Sequence, residues 1–99
     1  MNIEVTDVGR TFGRQTRAYA EYRIFSSLAR FSDVVRAAAI SLRPAAKDGS
    51  VVCSVLVGPE VGVPMRVTAR GRHAHDAINR VAARLGPTLR RHTHAAFPS

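Results

Sequence analysis

The sequence predicts an α+β domain of order β-α-β-β-β-α, in which a four-stranded sheet carries two helices on one face. Three observations predict it. Four short runs alternate apolar and polar residues or are apolar nearly throughout. Two longer segments carry apolar residues on one side only, at spacings of three and four. Glycines and prolines fall between these segments. One-sided helices and alternating strands bury their apolar surface best as two layers. Ninety-nine residues make one domain, residues 1–99, with residues 95–99 expected to fray.

Residues 2–6 (Asn-Ile-Glu-Val-Thr) read as a strand with Ile3 and Val5 facing in. Gly9 and Gly13 bracket a turn, and Gly13 stands where a helix cap is expected. From Arg14 to about Ser32 the period is helical, and Thr16, Ala20, Ile24, Ser27, Leu28 and Phe31 share the inward face. Tyr19, Arg23, Ser26 and Arg30 lie on one flank, with Tyr22 and Phe25 nearer the back. These aromatics either cover the sheet edge or offer a ring on which a nucleobase stacks.

Val35–Arg43 is the second strand, with Ala38, Ile40 and Leu42 alternating before Pro44. Lys47-Asp48-Gly49 is a hairpin turn. Val51–Val57 is apolar at nearly every position and reads as a central strand, in which Cys53 is expected to be a buried, reduced thiol. Gly58-Pro59-Glu60-Val61-Gly62 connects it to Val63–Arg70, where Val63, Met65, Val67 and Ala69 face in. Pro64 marks that strand as an edge. The last helix spans about His75 to His94, with Ile78, Val81, Ala82, Leu85 and Leu89 as its stripe. Gly86-Pro87 interrupts it, but Leu89 keeps phase with Leu85, so a kink is expected rather than a stop. The first two strands, joined through a helix, should be parallel with a right-handed crossover.

Charge narrows the function. Fifteen basic residues stand against seven acids, for a net charge of +8, and Lys47 is the sole lysine. A small body with this balance attracts polyanions. At 100° per residue, Arg80, Arg84 and Arg91 fall within about 40° of one another, opposite the Ile78 stripe, with Arg90 to one side. No acid follows Asp76 in this helix, whereas a face built for solubility mixes signs. Arginine also binds two phosphate oxygens at once. Arg66, Arg70 and Arg72 project from the open sheet face or the turn after it, where charge also protects an edge strand.

Other classes lack their residues. There are no paired carboxylates, no Ser/His/Asp set, no P-loop and no dinucleotide fingerprint, so no catalytic residues and no cofactor are expected. His73-x-His75 and His92-x-His94 lack completing ligands, so no metal is expected. Asp76 reads as a first-turn acid. No run approaches the roughly 18 apolar residues of a membrane span, and the first ten residues carry Glu4 and Asp7 rather than a signal-like apolar run. No membrane partner and a cytoplasmic location are expected.

Three segments resemble the ribosome hibernation-promoting factors, also called ribosome-associated inhibitor or sigma-54 modulation proteins. Residues 19–33 resemble that family's first helix, which ends in a Leu-x-Arg-Phe-x-Asp signature. Residues 34–43 resemble the following strand, and residues 74–91 the terminal helix. The resemblance implies the fold β-α-β-β-β-α, akin to double-stranded-RNA-binding domains. It also implies binding to the small ribosomal subunit through rRNA, with translation silenced when growth slows and no catalysis. On this reading Arg80, Arg84, Arg90 and Arg91 contact phosphate, with Arg23 and Arg30 of the first helix beside them. The chain departs from the family pattern at Gly13, where a Thr or Ser cap is usual, at His73, near a usual acid, and at Gly86-Pro87. Two other readings stand beside it: a general structured-RNA-binding domain, and a protein-interaction domain that homodimerises through the open sheet face without an RNA function.

Overall fold

In the computed structural model, residues 1–45, 47–59 and 62–96 are described, with side chains described as far as Arg91. The elements are β1 (Asn2–Asp7), α1 (Gly13–Leu28), β2 (Val35–Pro44), β3 (Val51–Pro59), β4 (Met65–Gly71) and α2 (Ala74–Ala96), with short 3-10 turns at Val8–Arg10 and Ala29–Phe31. The four strands form one sheet in sequence order. β1 runs parallel to β2, with Val5 opposite Ile40, and the other two pairs are antiparallel. The expected element order, strand order and parallel first pair are all present.

One face of the sheet is the core. Ala38, Ile40 and Leu42 of β2 sit beside Val57, Val55 and Cys53 of β3, and these beside Met65, Val67 and Ala69 of β4. Ala20, Ile24 and Leu28 of α1 and Ala77, Ile78, Val81, Leu85 and Leu89 of α2 join the same cluster. Both helices therefore lie on one sheet face, as their stripes predict. A register shift between Val35 and Ala37 lets Val35 and Ala38, three apart, both face inward. Cys53 is fully buried, and burial pushes its thiol up to about 12.

Three details differ from the sequence reading. α1 ends at Leu28 and closes in a 3-10 turn, where the helical pattern continues to Ser32. β4 begins at Met65, so Val63 is 72% exposed rather than inward, because Pro64 has no N–H with which to open the ladder. α2 reaches Ala96, into the segment expected to fray; residues 97–99 lie outside the described residues, as do Glu60 and Val61 of the β3–β4 connection. As expected, Gly86-Pro87 does not stop the last helix: α2 continues through it.

The cap of α1 is not the expected one. The Asp7 carboxylate, at the end of β1, accepts the backbone N–H groups of Thr11, Phe12 and Gly13 at 2.9, 2.8 and 3.0 Å. Gly13 is instead the first helical residue, at φ +87°, a conformation that costs glycine nothing. At the other junction, a Cβ on Gly71 would overlap the backbone of Asp76 and Ala77, so only glycine lets α2 start so close to β4.

Candidate nucleic-acid interface

α1 and α2 pack side by side, and the groove between them collects cations. Arg23 and Ser27 of α1 and Arg30 of the 3-10 turn that follows it face Ala83, Gly86 and Arg90 of α2 across a hollow of about 330 Å³. No carboxylate is among the described residues that line it. Gly86 matters here because a bare backbone keeps the wall low, with the Arg90 guanidinium lying over it. The Arg90 Nε also donates to the Gly86 carbonyl at 3.5 Å, and the Arg30 guanidinium sits 6.0 Å from the centre of the Phe31 ring.

A second cationic surface lies on the other flank of α2. Arg80, Arg84 and Arg91 are exposed there, with the angular spacing expected of a stripe. Arg80 Nε meets Asp76 at 3.2 Å, so one member of the stripe has an acid partner after all. Arg84 reaches over the sheet edge, and its Nη1 donates to the Thr68 carbonyl of β4 at 2.9 Å. The structure therefore brings Arg23 and Arg30 beside Arg90, and places Arg80, Arg84 and Arg91 apart from them. On the open sheet face Arg66 donates to Ser54 at 3.1 Å, and Arg70 donates to Ser50 through Nε and Nη2 at 3.1 and 2.9 Å.

Asp76 organises the start of α2. Its carboxylate accepts the Arg72 backbone N–H at 2.9 Å and the Arg80 Nε at 3.2 Å. The Arg72 N–H is the main reason its carboxyl falls to about 2; desolvation opposes this, and Arg80 adds to it. Where the family pattern usually has an acid, the His73 imidazole takes the capping position: its Nδ1 accepts the Asp76 N–H at 3.2 Å. Among the described residues no group of three or more His, Cys, Asp or Glu converges as a metal site, and the side chains of His92 and His94 lie outside the described residues.

The residue that sequence reasoning missed is Asn79. Its Oδ1 accepts from the Tyr19 hydroxyl at 2.7 Å and from the Arg23 Nε at 3.0 Å, so it ties α1 to α2 at the groove's edge. The Tyr19 ring packs against the core cluster and lies against His75, with centroids 4.2 Å apart and the planes tilted by 36°. The signal was available: Asn79 is one residue from the core stripe on the flank facing α1, and Tyr19 and Arg23 are spaced to meet it from one helix face.

No protein-family model and no curated protein sequence matches the chain. Solved structures do. The chain is similar to the crystal structure of the Thermus thermophilus Protein Y N-terminal domain, with 24% identity and a TM-score of 0.74 over 92% of this chain and 98% of that one. It is similar to a ribosomal subunit interface protein from Coxiella burnetii, with 17% identity and a TM-score of 0.76 over 94% and 98%. The chain thus has the fold of these two proteins, which is the fold implied by its resemblance to the hibernation-promoting factors.

Proposed function

We propose that this chain is a ribosome-associated translation inhibitor of the hibernation type, which binds the small ribosomal subunit through rRNA phosphates. The observation that carries the reading is the groove between the helices, where Arg23, Arg30 and Arg90 converge on a concave surface with no carboxylate among its described lining. A rigid scaffold that holds forked cations in a hollow suits an RNA backbone, which is recognised through shape and phosphate. The likeness to a ribosomal subunit interface protein supports the ribosome as the partner. Occupying an RNA-lined cleft blocks it without chemistry, so the mechanism needs no catalytic residue and no cofactor. The ribosome also makes the cytoplasm the place of action; no helix among the described residues is long and apolar enough to cross a membrane.

The exposed stripe of Arg80, Arg84 and Arg91 adds contacts outside the groove. Because Arg80 is held by Asp76 and Arg84 by the Thr68 carbonyl, these two are aimed rather than free, and each gives up a protein partner to meet phosphate. A homodimer through the open sheet face is the weaker reading. That face presents Arg43, Arg66 and Arg70 against Glu4, so two copies would stack like charges.

Co-sedimentation with ribosomes on a gradient tests the proposal. The wild-type chain should travel with small subunits or whole ribosomes in low salt. Its log affinity should fall with log salt by roughly 0.7–0.9 per phosphate contact. Arg23, Arg30 and Arg90 all changed to Glu should abolish co-migration, with the fold kept by circular dichroism. Equal binding to naked structured RNA would favour the general RNA-binding reading. Co-migration of the triple variant with an unchanged salt slope would overturn the groove as the site.

A further inference from the structure

β1 is an edge strand. It pairs with β2 on one side, and among the described residues no strand pairs with its other side. An edge presents a row of backbone N–H and C=O groups ready to pair with another chain. Beside the first half of β1, on the helix side, lies a hollow of about 460 Å³ between Met1 and Ile3 and the α1 residues Ala18, Glu21, Tyr22 and Phe25. Tyr22 is 68% exposed and Phe25 50%. These are large rings to leave in water on a 99-residue chain. On the other side of the same strand Glu4 stands on the open face. Apart from the α-amino group of Met1, no cation lines the hollow. On a chain of net charge +8, the first half of this edge is acidic and aromatic; Arg17 acts on Asp7 at the other end of the strand.

We infer that the β1 edge takes up an extended basic peptide by strand addition. Side chains of an added strand alternate between the two faces. Those on the helix side would meet Tyr22, Phe25 and the Glu21 carboxylate. Those on the other side would meet Glu4. The matching peptide therefore alternates apolar and basic residues, with its backbone bonded to residues 2–5. Other occupants fit less well. RNA would bring phosphate against Glu4 and Glu21, while the groove arginines lie elsewhere and Arg17, which acts on Asp7, sits toward the far end of the strand. A second copy pairing β1 with β1 would bring Glu4 towards Glu4, and like charges across a strand pair are destabilising.

The test uses the full-length chain labelled with nitrogen-15 and a seven-residue, terminally blocked peptide of alternating lysine and leucine. The amide signals of residues 2–5 and 21–25 should move on titration, while those of Arg30, Gly86 and Arg90 stay. The double variant Glu4→Lys, Glu21→Lys should weaken the peptide at least tenfold, and Glu21→Gln, which removes one charge without adding any, about threefold. A peptide of the same composition with its lysines and leucines in two blocks should bind less well than the alternating one. Shifts confined to other parts of the chain, equal affinity for the double variant, or equal affinity for the block peptide would overturn the inference. Ribosome co-sedimentation of the double variant should match wild type, which separates this edge from the arginine groove.

Discussion

The hydroxyl of Tyr19 and the side-chain oxygen of Asn79 meet at 2.7 Å, although 60 residues separate them. The same oxygen accepts from Arg23 at 3.0 Å. A single amide thus sets both the distance between the helices and the direction of one groove cation.

Asn79→Ala should remove both bonds at once. The partners are exposed, so the cost in stability should be modest, about 1 kcal/mol. Arg23 would then swing through several rotamers, and ribosome affinity should fall several-fold. Tyr19→Phe loses one bond, leaves Arg23 held, and should lower stability with little change in affinity. Urea unfolding and co-sedimentation of the two variants check this; equal affinity losses would mean that Asn79 does not aim Arg23.

Acid should loosen the start of α2. The Asp76 carboxyl lies near 2 in the folded chain against 3.8 ordinarily, so the unfolded chain binds more protons between those values. Stability from Asp76 is therefore complete above about pH 5 and lost as pH falls toward 2. Asp7 and Asp48 shift in the same direction and add to the slope: desolvation raises Asp7, but the N–H groups of Thr11, Phe12 and Gly13 outweigh it, while the Ser50 backbone N–H is the main cause at Asp48. Thermal melts of wild type and Asp76→Asn between pH 2 and 7 should converge at the acid end and separate at neutral pH.

Pro87→Ala should stabilise the chain. Pro87 lies inside α2 and is exposed, so it removes one backbone bond without filling the core in return. Interior proline costs a helix up to about 3 kcal/mol, and the gain should appear as a higher urea midpoint at unchanged m-value. Pro87 also lines the arginine groove beside Arg90. A fall in ribosome affinity alongside the stability gain would show that the proline shapes that wall; no change in the midpoint would mean that α2 is already relaxed around it.

Most of the fold was legible because its cause is periodic. Ile40, Leu42, Val55, Val67, Ile78 and Leu85 announce their faces by spacing alone, and each is buried. Val63 misled because its alternation with Met65 is correct, yet Pro64 between them withholds a ladder bond. Asp7 and Gly71 were illegible because their roles arise from contacts across element boundaries: a carboxylate reaching a following helix, and a backbone pressed on a helix start. The site was legible as charge but not as grouping. Helical angle separates Arg90 from Arg80 and Arg84, but only the packing of α1 against α2 decides which of them meets Arg23 and Arg30.

The sequential order of the strands has a consequence for how the chain assembles. Pro44 pairs with Val51 and Val57 with Met65, so β2, β3 and β4 close over short connections. Asn2 pairs with Ala37, and that ring closes only after α1 has spanned it. Closing the longer ring costs more chain entropy before any contact rewards it, so the antiparallel meander should form first and β1 should join late. The strand that joins last, held by one neighbour, is also the first to leave. Its amides should exchange with solvent faster than those of β3, in a native chain that never unfolds as a whole.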